Sequence, residues 1–127
     1  MIGAIGPGIL VLIGIGKNDS EKDVLRLAAK ASSLRIFEDE NGRMNLPLAA
    51  VEGEMMVVPQ FTLMADTSRG NRPGFEEAAP PGPAKTLYEK FTAALRSTGV
   101  PVKTGVFGAE MKISLVNDGP VTILLES

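Results

Sequence analysis

No cysteine and no histidine occur among the 127 residues of this chain. Without cysteine there is no disulfide framework, no thiolate nucleophile and no cysteine zinc site. Without histidine, Ser-His-Asp triads and His-ligated metal sites are excluded as well. Tryptophan is also missing, and tyrosine occurs once, at Tyr88. Any catalysis must therefore draw on hydroxyls, carboxylates, lysines, Tyr88, backbone amides or a group supplied by the substrate. Neither sign of charge is in excess: 13 basic and 15 acidic residues leave a net charge of −2, so no global cationic footprint favours long duplex nucleic acid. Long apolar runs are lacking too. The stretch from Ile9 to Ile15 is far short of the roughly 20 residues that a spanning helix needs, and Met1 to Gly8 carries no basic opening of a signal peptide. The expectation is a protein of the cytoplasm with no membrane partner.

What is present reads as one α/β domain over residues 1–127, with a mixed, strongly curved sheet and two helices. Hydrophobic residues make up 44% and charged residues 22%, an ordinary globular balance, while 14 glycines and 9 prolines demand many turns and short elements. Ile9 to Ile15 follows a Gly-Pro-Gly turn and is apolar on both faces, as a central strand would be. Ser20 and Asp23 resemble a capping box, and Val24, Leu27, Ala28, Ala31 and Leu34 continue as one apolar helical stripe. On another face Lys22, Arg26 and Lys30 fall four apart, a row that reads as a solvated surface or a polyanion contact.

Leu34 to Glu38 switches to period two, and Asn41-Gly42 supplies a hairpin turn before Met44 to Leu46. Glu54 to Leu63 reads as a second long strand. Ala65 to Gly74 has no hydrophobic period and is a surface loop bearing Arg69 and Arg72. Leu87, Tyr88, Phe91, Ala94 and Leu95 form a second amphipathic helix, started after Pro80 and stopped by Gly99 and Pro101; Tyr88 reads there as a packing residue. Val102 to Phe107, Met111 to Val116 and Val121 to Leu125 read as three closing strands.

Two segments place polar residues at strand ends without a packing reason. Gln60 and Thr62 alternate around Phe61, an arrangement that can present an amide, a hydroxyl and neighbouring backbone N–H groups to an oxyanion; a solvated sheet end is the plainer reading. Asn117-Asp118-Gly119-Pro120 is either a common turn or, with a cis Gly-Pro bond, a shaped projection.

Gln60 to Leu63 and Asn117 to Thr122 resemble the signature motifs of the D-aminoacyl-tRNA deacylases. Leu34 to Asp39, Met44 to Leu46, Ala78 to Pro80, Val102 to Gly105 and Phe107 to Ala109 match as well, so the resemblance is collinear from Gly6 to Ser127. It implies a deacylase-like fold and a cytoplasmic homodimer. The implied activity is hydrolysis of the ester joining a D-amino acid, or glycine, to the terminal adenosine of tRNA. No cofactor or metal is implied. By the same resemblance Gln60, Phe61 and Thr62 line the place of the ester carbonyl, while Phe107, Gly108, Ala109 and Met111 bind substrate. Gly119 and Pro120 enter the partner subunit's pocket through a cis bond and hold the substrate's amino group, so that L-amino acids clash while achiral glycine is accepted. Thr62 has been read in the family as a nucleophile, but nothing in this chain deprotonates a threonine efficiently, and a backbone oxyanion hole with the RNA's own 2′-hydroxyl ranks above it. Lys17, Arg69, Arg72 and Lys103 are candidate phosphate partners at a tRNA 3′ end.

Two departures stand out. Pro59 replaces the family's usual serine and resembles related deacylases that remove L-alanine from tRNA, although Phe61 and the Gly-Pro-Val-Thr form favour D-specificity. Members of the family also open with a further strand and its hairpin return ahead of the segment matched by Gly3 to Gly8. Its absence here reads as a misassigned start, a fragment, or a protein with an exposed sheet edge. The alternatives to a D-aminoacyl-tRNA deacylase are an L-alanyl-tRNA editing enzyme and a truncated tRNA-end binding module without turnover.

Overall fold

The computed structural model describes residues 3–127, so the first two positions of the Met1–Gly8 stretch lie outside the described residues. The chain runs as β1 (Gly8–Ile13), α1 (Glu21–Ser33), β2 (Phe37–Glu38), β3 (Met44–Leu46), a 3-10 turn (Leu48–Val51), β4 (Glu54–Pro59), a second 3-10 turn (Phe61–Met64), α2 (Pro81–Ser97) and β5 (Val102–Thr104). β1, β4 and β5 form a three-stranded sheet in that order, parallel throughout, with helices in the crossovers as parallel pairing requires. β2 and β3 form a separate antiparallel hairpin at the expected Asn41-Gly42 turn, where Gly42 takes a φ of 74°.

Both helices follow their sequence signals. The Asp23 carboxylate accepts the Ser20 backbone N–H at 2.8 Å, and Val24, Ala28 and Ala31 form the buried stripe of α1. In α2, prolines occupy the first turn, where a missing N–H costs nothing; Ala84, Tyr88, Phe91, Thr92 and Leu95 are buried, and Gly99 (φ 88°) turns the chain out afterwards. The two stripes meet Ile13, Ile15, Met55 and Val57 in one core. Leu48, Met55, Val57 and Leu95 are its fully enclosed side chains, each worth about 1.5–3 kcal/mol of burial.

Several expectations for the sheet are corrected. The small sheet shows no strong curl: β1 and β4 pair without a register shift over their six residues, and β5 adds three. β1 is an edge strand of this sheet and not its centre, which is why Leu12 is 40% exposed while β4 between its neighbours buries Met55 and Val57 completely. Pairing in β4 stops at Pro59, four residues short of the expected end, because the register with β1 ends there at Ile13. Met111 to Val116 and Val121 to Leu125 are not strands. Their alternation supplies strand propensity but no backbone ladder forms along them, so the sheet ends at β5. Leu125 still packs against the core, and the Ser127 hydroxyl accepts from the Arg26 guanidinium at 2.7 Å and donates to the Asp23 carboxylate on α1. Among the described residues no helix is long and apolar enough to cross a membrane.

Candidate functional site

The end of β4 is where the chain leaves regular pairing. The Gln60 N–H makes the last contact to β1, donating to the Ile13 carbonyl at 2.8 Å. The backbone then winds into the 3-10 turn, with Leu63 N–H to Gln60 O at 3.2 Å and Ala65 N–H to Thr62 O at 3.1 Å. Winding places Phe61 and Thr62 at the start of the turn, where backbone N–H groups have no preceding carbonyl to meet. Among the described residues neither N–H is engaged. Phe61 is 62% exposed, and its ring meets the Phe75 ring with centroids 5.0 Å apart and planes at 59°. The Gln60 side-chain amide donates to the Thr62 hydroxyl oxygen at 3.2 Å. That bond occupies a lone pair of the oxygen a nucleophile would use. No carboxylate, lysine or phenol takes part in it.

Of the other expected site residues, the structure brings Met111 to the same end of the sheet. A Cβ placed on Gly105 would lie 2.7 Å from the Met111 sulfur and 3.7 Å from Val58, so glycine at 105 is what lets Met111 settle near the end of strand β4. Phe107 turns toward α2, its ring 5.8 Å from that of Tyr88, and lines a cavity of about 380 Å³ with Tyr88, Thr92, Arg96 and Thr104. Burial pushes the Tyr88 phenol above its ordinary value, and its hydroxyl faces the Val57 carbonyl at 3.4 Å. Tyr88 is thus a packing residue, as expected. Gly108 (φ 78°) and Ala109 form an exposed turn closed by Ala109 N–H to Val106 O at 3.2 Å.

Gly119–Pro120 is cis, in an exposed turn. The turn is built locally: the Asn117 side chain accepts the Val121 N–H at 2.8 Å and donates to the Thr122 hydroxyl at 3.0 Å. Gly119 has a φ of 133°, and a Cβ there would meet the Val121 side chain at 2.7 Å. Apolar side chains stand in solvent on both sides, Val116 at 91% exposure and Leu124 at 77%.

The four candidate phosphate partners divide into two pairs. Lys17 is paired with Glu77 at 3.4 Å, and the Lys103 ammonium donates to the Ala4 carbonyl at 2.7 Å. Arg69 and Arg72 form no ion pair among the described residues; they line a small cavity of about 120 Å³ with Asp66 and Glu76. The Ser68 hydroxyl and N–H hold the Asp66 carboxyl below the usual carboxylate range. No three acidic side chains among the described residues come together as a metal-binding group. Sequence reading missed Phe75. Its only signal was a lone aromatic closing an otherwise polar loop.

Comparison with known proteins bears directly on this arrangement. The chain is 57% identical over 126 residues to the D-aminoacyl-tRNA deacylase of Thermotoga petrophila, covering 99% of this chain and 85% of that protein. Against the enzyme of the same name from Chlorobaculum tepidum it is 56% identical over 125 residues, covering 98% and 83%. Among solved structures, a c-Myc DNA unwinding element binding protein superimposes with a TM-score of 0.93 at 43% identity, over 99% of this chain and 86% of that one. A probable eukaryotic D-amino acid tRNA deacylase, at a TM-score of 0.67 and 16% identity over 84% and 77%, shares the fold alone. The pattern that characterises D-Tyr-tRNA(Tyr) deacylases matches residues 1–126, and with relatives this similar along almost its whole length the chain belongs to that family.

Proposed function

We propose that this chain hydrolyses the ester bond between a D-amino acid and the 3′-terminal adenosine of tRNA, releasing free amino acid and tRNA, and that it accepts glycine by the same route. The observation that carries this reading is the turn Gln60–Thr62. It offers two unengaged backbone N–H groups beside a hydroxyl that a neutral amide holds. Such a site stabilises negative charge on a carbonyl oxygen without an ionisable side chain. Water adds to the ester carbon and the oxyanion is held by the N–H groups of Phe61 and Thr62; collapse breaks the bond to the 3′-oxygen, which takes up a proton relayed from the water through the RNA's own 2′-hydroxyl. Thr62 acts as an orienting hydroxyl and not as the nucleophile.

Stereochemistry is read by shape. In this reading the Gly119–Pro120 turn of one copy enters the site of a second copy, where its carbonyls hold the substrate's ammonium group and leave no room for an L side chain; glycine has none to exclude. Its exposed position and the apolar side chains flanking it support a homodimer, since contiguous apolar surface of this kind marks an interaction face. Arg69 and Arg72, in no ion pair among the described residues, are the candidates to meet phosphates of the acceptor end.

Parallel deacylation of D-tyrosyl-, L-tyrosyl- and L-alanyl-tRNA tests the proposal. Turnover of the D-ester alone is the expected result. Preferential cleavage of L-alanyl-tRNA would replace it with an L-alanine editing activity, and binding without turnover would make the chain a tRNA-end binding module.

A further inference from the structure

We propose that Phe75, at the close of the 65–74 loop, is a positioning residue that fixes the ring of Phe61; this rests on the reading that Phe61 lines the ester site. Phe61 belongs to a turn of four residues and is mostly exposed, so the turn by itself leaves its side chain free to rotate. Its one aromatic contact is Phe75, at a tilt and separation typical of an attractive ring pair.

Phe75 is held from two sides. Immediately before it, Gly74 exchanges both backbone hydrogen bonds with Asp66 at 2.8 Å, which closes the loop two residues beyond the 3-10 turn that carries Phe61. After it, Ala78 N–H donates to the Phe75 carbonyl at 3.1 Å, Lys17 N–H to Glu77 O at 2.8 Å, and Ala79 N–H to Ile15 O at 2.9 Å. Ile13 and Ile15, at and just beyond the end of β1, thus fix the backbone on either side of the ring pair: Ile13 holds Gln60 ahead of Phe61, and Ile15 holds Ala79 behind Phe75. A loop with no hydrophobic period of its own thus ends in a braced aromatic wall. Its role is to keep the Phe61 ring, and with it the side of the ester pocket, in one orientation.

The experiment combines kinetics with a probe of the ring itself. In Phe75→Leu, kcat for D-tyrosyl-tRNA should fall about tenfold with KM little changed, the size expected from losing one ring pair at a reacting site. Phe75→Tyr should restore the rate. In a Phe61→Leu background the same change at 75 should have no further effect on kcat. In protein labelled with 4-fluorophenylalanine, which has five sites, Phe75→Leu should shift the Phe61 resonance, identified by its loss in Phe61→Leu, and leave Phe91 in the core unmoved. Independent, additive effects of the two substitutions, or an unmoved Phe61 resonance, would overturn the inference. Should the wild type fail to cleave D-tyrosyl-tRNA, the proposed function falls, and the fluorine spectrum alone still decides whether Phe75 sets Phe61.

Discussion

Residues 8–104 and residues 105–127 solve the burial problem differently. The first stretch pairs its strands, folds both amphipathic helices onto them and encloses Leu48, Met55, Val57 and Leu95 completely. The second has an equally apolar alternating sequence but forms no ladder, and it leaves Leu115, Val116, Ile123 and Leu124 in solvent. Apolar content alone therefore does not decide burial within a chain. A strand-like segment is buried in a sheet only when a ladder joins it to a neighbour, and no ladder joins the later segment to either edge of the sheet, β1 or β5.

The strongest way to break this contrast is to charge the tail. Val116→Asp combined with Leu124→Asp should give a folded monomer by light scattering. With the proposed hold of the partner's Gly119–Pro120 turn on the substrate's ammonium group lost, D-tyrosyl-tRNA hydrolysis should fall roughly 100-fold through mispositioning. A fully active monomer would mean that the tail serves no second copy. Stability should respond in the opposite region: Leu95→Ala in α2 should cost about 2–5 kcal/mol in urea unfolding, against less than about 0.5 kcal/mol for Lys112→Ala in the tail. Equal losses would erase the distinction.

A smaller effect separates the two ends of the site. Gly119→Ala should lower turnover by about tenfold or more, because the φ of 133° and the Val121 side chain leave no place for a methyl group. Thr62→Ala, which removes one neutral hydrogen bond, should cost less than about tenfold in single-turnover rate. An aminoacyl ester trapped on Thr62 would reverse that order.

The smallest effect lies in the β2–β3 hairpin. The Arg43 and Asn41 backbone N–H groups lower the Asp39 carboxyl below its ordinary value of 3.8. A carboxylate with a lowered folded value stabilises the fold at neutral pH, and this contribution disappears as pH falls through that value. The stability advantage of wild type over Asp39→Asn should therefore be present at pH 7 and shrink below about pH 4. An advantage that grew with acid would contradict the assigned hydrogen bonds.

The helices were legible in the sequence because each carries its own signals: Ser20 and Asp23 before the stripe of α1, and prolines before and Gly99 after the stripe of α2. Gln60 to Thr62 was legible as a polar segment after the strand and misread as backbone, since its alternation of side chains continues past Pro59 while the pairing register with β1 does not. The tail was misread for a related reason. Period two records which faces a strand would show, not whether a partner strand is there. Phe75 was invisible because its contact with Phe61 joins positions fourteen apart through a loop whose own composition signals only a turn.

The hydrogen bonds of Ser127 to Asp23 and Arg26 bear on the energetics of the proposed assembly. Gly105 N–H donates to Val57 O at 2.9 Å at one end of the tail, and Leu125 and Ser127 hold the other. The intervening stretch is therefore a closed loop whose ends are fixed on one body. A tether of about 20 residues closed in this way has already given up roughly 3 kcal/mol of chain entropy before any encounter. In the proposed dimer, presenting Gly119–Pro120 from such a loop lowers the ordering cost of docking by that amount.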